Sequence, residues 1–268
     1  LTLGGLLVML LPQMSLLILQ RVTSLREVGY FSAAYRIPSL LYQIPGTIAA
    51  AFYPRLFYLG AVNPSKHIEL SGRELKFMSV VSGAIALPFV FYPDIVIKVL
   101  FGNDWVKGGS PVLAILAWVV VFQGINYPLA DALTTSGFQS RRTGVLVIAT
   151  ALGVLSYMTL GSKLGAIGGA IAALIVEGIL LLGYTIFNSQ GLQILKNGLP
   201  TMLIALFLTT MSTIMLKYLS INTWVGIVWA PISYIILVVI IDPEVKAEIQ
   251  RACIALSEKL ATIRKREI

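Results

Sequence analysis

Apolar residues follow one another along this chain in blocks of roughly the twenty that a helix needs to cross a bilayer, separated by polar or Gly/Pro breaks. Runs of that length do not show the period-two alternation of barrel strands, and they lack the polar faces of helices around a water-soluble core. The pattern predicts eight spans: about Leu3 to Leu19, Val28 to Phe57, Phe77 to Phe101, Pro111 to Gly137, Thr143 to Leu160, Ala166 to Phe187, Pro200 to Leu216 and Trp224 to Ile241. The second is interrupted by Pro38, Pro45 and Pro54, and the longest polar connection is about Gly60 to Lys76. Beyond Asp242 the residues alternate between apolar and charged at helical spacing, which predicts an amphipathic helix at the membrane surface.

Composition agrees with an all-α integral membrane protein: 57% of residues are apolar and 12% charged, with a mean hydropathy of +0.86. The net charge of +8 does not point to nucleic acid, because the basic residues stand singly or in pairs between apolar runs without interleaved aromatics. Charge sets orientation instead. Counted over alternate connections, one side of the membrane holds thirteen Lys and Arg, six of them in the tail, and the other holds six. The richer side is the cytoplasmic one by the positive-inside rule, so an even number of spans leaves both ends of the chain in the cytoplasm. The opening LTLGGLLVMLLPQ starts within a helix and has no basic leader, so it reads as the trailing part of a longer protein.

Three ionisable residues fall inside the predicted spans, where a charge needs a partner, a cavity or a route to the interface. Arg36 lies on a stripe with Gln43 and Thr47, seven and eleven residues on, which suits a face turned toward a cavity; the rival is a side chain that snorkels to the outer interface. Asp131 belongs to a stripe of Gln123, Tyr127, Asp131 and Thr135, with Asn126 close by, and is either cavity-lining or interfacial; with Glu177 it is a candidate for ion coupling. Glu177 sits among apolar residues on both sides, so it is either a hydrogen-bonded structural residue or one that couples a proton or ion.

Enzyme chemistry has no foothold in the sequence. Cys253 and His67 are the only residues of their kinds, which argues against a disulfide, a cysteine or zinc cluster and a histidine-based triad. Neither GxSxG, HExxH nor a Walker A loop is present, and no metal or cofactor is expected. A membrane-embedded glycosyltransferase or polysaccharide ligase, the alternative of another class, needs a larger polar loop than Gly60 to Lys76.

Three stretches carry a family resemblance: REVGYFSAAYRIPSLLYQIPGTIAAAFYPRL, KVLFGNDWVKGGSPVLAILAW and SGFQSRRTGVLVIATALGVLSYMTLGSKLGAIGGAIAALIVE. They resemble the polysaccharide and O-antigen flippases of the multidrug/oligosaccharidyl-lipid/polysaccharide (MOP) exporter superfamily, over about Leu16 to Tyr184. The resemblance implies that residues 1–190 form the C-terminal six-helix lobe of a two-lobe transporter. Residues 191–241 would then be an additional helix pair and 242–268 a cytoplasmic tail. It further implies alternating-access flipping of a lipid-linked oligosaccharide in a bacterial or archaeal inner membrane. H+ or Na+ is the candidate coupling ion, membrane lipid the surroundings, and other polysaccharide-assembly proteins the candidate partners. Arg36 would meet the anionic head of the substrate. Many family members carry an aspartate where this chain has Ser15, with Gln13 nearby, so a carboxylate site on the first helix is not carried over. A multidrug exporter of the same superfamily is the nearer alternative.

Overall fold

A computed structural model describes residues 3–41, 43–247 and 250, and the described residues are almost wholly helical. The helices are α1 Leu3–Val22, α2 Leu25–Leu41, α3 Gln43–Val62, α4 Pro64–Phe91, α5 Pro93–Phe101, α6 Asn103–Thr135, α7 Gln139–Phe187, α8 Gly191–Gly198, α9 Pro200–Tyr218 and α10 Thr223–Ile241. Among the described residues, α4, α6, α7, α9 and α10 are long and apolar enough to cross a membrane. The chain is a multi-pass membrane protein. The tail residues 251–268, read above as a surface helix, lie outside the described residues.

Several boundaries differ from the sequence reading, each for a local reason. The stretch from Val28 to Phe57 is helical as α2 and α3, on either side of residue 42, which lies outside the described residues. The connection Gly60 to Lys76 is not a loop: Asn63 caps α4 by accepting from Lys66 N at 3.1 Å, Pro64 occupies its first turn, and the polar residues that follow are helical. Phe77 to Phe101 breaks at Tyr92, where Pro93 opens α5. The turn FGNDWVKGGSP is mostly the start of α6. Inside α7 the helix is interrupted at Gly165 (φ 57°, ψ −131°), so the two spans predicted on either side of residues 161–165 are kept.

The core is built where α6 packs against α4 on one side and α7 on the other. Leu113, Leu116, Leu129 and Leu133 of α6 are fully buried, as are Leu75 and Met78 of α4. Gly124 lets α4 and α6 approach closely, since a Cβ there would fall 2.2 Å from Ser82 Oγ. Leu19 of α1 and Phe31 of α2 are buried against Gly169 in the second half of α7. By contrast α9 and α10 expose large apolar side chains such as Phe207, Trp224 and Ile240, a surface suited to lipid.

The break in α7 is stabilised from outside. Glu27 of α2 accepts a hydrogen bond from Ala166 N at 2.8 Å, placing a carboxylate at the N-terminus of the helix that restarts there. At the opposite end of the bundle, Lys76 of α4 pairs with Asp242 at 3.0 Å and Glu244 at 2.7 Å, and Thr201 of α9 donates to Asp242 at 2.7 Å. Three elements distant in sequence are thereby joined just after α10.

Candidate functional site

A cavity of about 170 Å³ opens between α2, α6 and α7. Its polar lining comes from Gln123, Asn126 and Tyr127 of α6, Arg142 and Glu177 of α7, and the tyrosines Tyr35, Tyr157 and Tyr184. Apolar residues such as Val119, Leu146 and Val176 complete the walls, which fits the general character of ligand sites: apolar, with a few convergent polar groups.

Glu177 is the centre of the arrangement. Gln123 donates from Nε2 to Glu177 Oε1 at 2.7 Å, and Asn126 donates from Nδ2 to Oε2 at 2.7 Å and to the Glu177 backbone carbonyl at 3.0 Å. Positions 123 and 126 are three apart and therefore neighbours on one face of α6. Both carboxyl oxygens are thus met by amide donors, and the buried polar group is held by hydrogen bonds. Gln123 Oε1 and Asn126 Oδ1 have no hydrogen-bond partner among the described residues, which leaves acceptors beside the cavity for a ligand donor.

Arg142 enters the same cavity from the start of α7. Its Nη1 donates to Thr134 Oγ1 at 2.9 Å, and the hydroxyls of Tyr53 and Tyr184 lie within hydrogen-bonding reach of the guanidinium. Arg141, its neighbour, points elsewhere and donates to the carbonyl of Phe187 at 3.1 Å. The two arginines, read from sequence only as a charge pair at a connection, have different roles, because successive helical residues project about 100° apart.

The other residues singled out from sequence are placed as follows. Asp131 is buried, 6% exposed, and stands behind the cavity against Glu74 of α4 rather than in its wall. Thr135 donates to the Asp131 carbonyl at 2.8 Å and lies 2.7 Å from His67 Nε2. Ser15 is buried and hydrogen-bonds Tyr157, while Gln13 is exposed. Arg36 is exposed on α2, and no described carboxylate pairs with it. Thr47 is exposed on α3, and the side chain of Gln43 lies outside the described residues. The spacing that links Arg36 to Gln43 and Thr47 crosses residue 42, which lies outside the described residues.

Sequence reasoning missed Arg142 and Glu74, and of the four cavity tyrosines it named only Tyr127. Glu74 lay in a segment rich in charge, and only the helical continuation of α4 into the bundle carries it inside.

Helical packing of this kind defines a class: a polytopic α-helical membrane bundle. The chain superposes on the solved "Lipid II flippase MurJ, inward closed conformation" with a TM-score of 0.68, at 18% identity, covering 88% of this chain and 52% of that one. Within the class, residues 1–110 match the family model described as "Polysaccharide biosynthesis protein". A curated Escherichia coli (strain K12) protein, "Putative O-antigen transporter", is 24% identical over 161 residues, 60% of this chain and 39% of the relative. These similarities point the same way as the resemblance carried by the three motifs, and the chain spans about half or less of the length of the proteins it matches.

Proposed function

We propose that this chain forms one lobe of a transporter that carries a lipid-linked oligosaccharide from the cytoplasmic to the outer leaflet by alternating access. The observation that carries the reading is the cavity itself: a guanidinium, a hydrogen-bonded carboxylate, two amides with unused acceptors and four tyrosines, enclosed among long apolar helices. Such a lining suits a substrate that is polar, hydroxyl-rich and anionic at one end. Arg142 offers charge to a phosphate, the amides accept from hydroxyls, and tyrosine rings give sugar faces an apolar surface.

Residues 1–190 make the lobe, 191–241 an additional helix pair, and the tail faces the cytoplasm of a bacterial or archaeal inner membrane. Transport is coupled to H+ or Na+, and other polysaccharide-assembly proteins supply the substrate and remove it. The activity is translocation, with no bond made or broken. Substitution of Arg142 by Gln in the chromosomal gene tests the reading. Surface polysaccharide, measured at matched protein level, is expected to fall at least tenfold. Export at the unsubstituted level would overturn the assignment of the cavity to substrate.

A further inference from the structure

Behind the cavity, two acidic side chains from different helices meet in the core. Glu74 of α4 is fully buried and Asp131 of α6 is 6% exposed, and their carboxyl groups lie within hydrogen-bonding reach of each other. Neither oxygen of Glu74 has a donor among the described residues. Two ionised carboxylates offer four acceptors and no donor, so their contact in an apolar interior is a repulsion, whereas one proton between them turns it into a short charge-assisted hydrogen bond. Glu177 differs on this point, because two amide N–H groups already meet its oxygens.

The charged and titratable surroundings are few. Tyr53 of α3 and Arg142 of α7 act on Asp131, and Tyr127 shares its helix. His67 of α4 is one side chain removed, through Thr135. Lys76, two residues beyond Glu74, is engaged by Asp242 and Glu244, and Lys196 of α8 is exposed. Arg142 is therefore the one cation among the described residues that acts on Asp131 and also lines the cavity.

We infer that Glu74 and Asp131 form a proton-binding site, one proton shared between two carboxyls at the α4–α6 contact, and that Arg142 links its occupancy to an anion in the cavity. With the proton the pair carries one negative charge; when the proton leaves to water, two facing carboxylates repel and the contact between α4 and α6 weakens. An anionic group that engages Arg142 withdraws positive charge from Asp131, so the pair holds its proton more firmly. By linkage the proton in turn frees Arg142 for the anion. The link to transport rests on the function proposed above; the shared proton does not.

Infrared difference spectroscopy of the purified protein in detergent, titrated with base, tests both parts. The band of a buried protonated carboxyl is expected in the unsubstituted protein and lost in both Glu74→Gln and Asp131→Asn, each checked for fold by circular dichroism. A band that survives in both variants, or that disappears only in Glu177→Gln, overturns the site. Loss of the band on adding sodium at constant pH would make the ligand a metal cation and also overturn it. Inorganic pyrophosphate is expected to preserve the band to higher pH in the unsubstituted protein and not in Arg142→Gln. No effect of pyrophosphate while the band is present overturns the link through Arg142. None of these readings depends on flipping. A transport assay that failed in the unsubstituted protein would count against the function while leaving the proton site standing.

Discussion

Asn126 donates from a single nitrogen to both the side chain and the backbone carbonyl of Glu177, at 2.7 and 3.0 Å, and so ties the middle of α6 to the second half of α7. The same amide orients the carboxylate toward Gln123 and fixes the back wall of the cavity. Asn126→Ala removes that donor and leaves a buried carboxylate oxygen unpaired, which costs ~1–3 kcal/mol. A drop in melting temperature of the detergent-purified protein is the expected outcome, with a similar drop for Glu177→Ala, where both amides lose their acceptor. Since the three residues act as one network, the double variant is expected to lose less than the two single losses together. Strict additivity would show that Asn126 and Glu177 do not cooperate.

The interruption of α7 depends on Gly165 and on a carboxylate from another helix. A Cβ at position 165 would lie 2.5 Å from Glu27 Oε2, in a backbone conformation with φ of 57° that side chains with a Cβ rarely adopt. Gly165→Ala is therefore expected to destabilise by ~1–3 kcal/mol. Glu27→Ala loses the anion at the restarted N-terminus and is expected to cost about 1 kcal/mol. Thermal melts on both variants check the order. An alanine at 165 that melts like the unsubstituted protein would mean the helix runs through the break.

How far the sequence reveals this architecture depends on whether a feature is local. Glu177 stands out because any charge in an apolar run does, and Gln123 stands out on a stripe with Tyr127, Asp131 and Thr135, with Asn126 close by. Arg142 and Glu74 do not. Each lies in a stretch that looks like a solvated connection, and only the packing of α4, α6 and α7 brings them to Asp131, across a separation along the chain that no periodicity spans. The stripe through Arg36, Gln43 and Thr47 rests on spacing along one helix across residue 42, which lies outside the described residues. Proline positions mark candidate breaks without saying which of them a helix will absorb: Pro38, Pro88 and Pro128 are absorbed, while Pro93 opens a new helix.

Acid sensitivity should localise to the end of α10. Burial alone would raise the pKa of Asp242, but hydrogen bonds from Thr201, Lys76 and Val245 N outweigh it and hold the carboxyl below the usual carboxylate range. A depressed folded-state value means that the stabilisation is complete above the unfolded value, about 3.9, and is lost as pH falls through the lower folded one. Melting temperature is expected to fall below about pH 4, and Asp242→Asn, which cannot titrate, is expected to lower it at neutral pH while flattening that acid slope. Parallel pH profiles for the two proteins would assign the acid loss to other carboxyls.

Arg36 separates stability from transport. Its side chain is exposed on α2 and pairs with no described carboxylate, so Arg36→Ala is expected to change stability by no more than ~0.5 kcal/mol. If the guanidinium meets the anionic head of the substrate on its way to the cavity, export of surface polysaccharide at matched protein level falls several-fold in Arg36→Ala. It falls less in Arg36→Lys, which keeps the charge but not the two-pronged donor geometry. An arginine that only snorkels to the interface predicts otherwise: lysine and alanine would both export normally, since neither the bundle nor the cavity uses the group. Measuring melting temperature and export on the same three proteins distinguishes the two. Equal export in all three would remove Arg36 from the substrate path and leave Arg142 as the basic residue of the cavity.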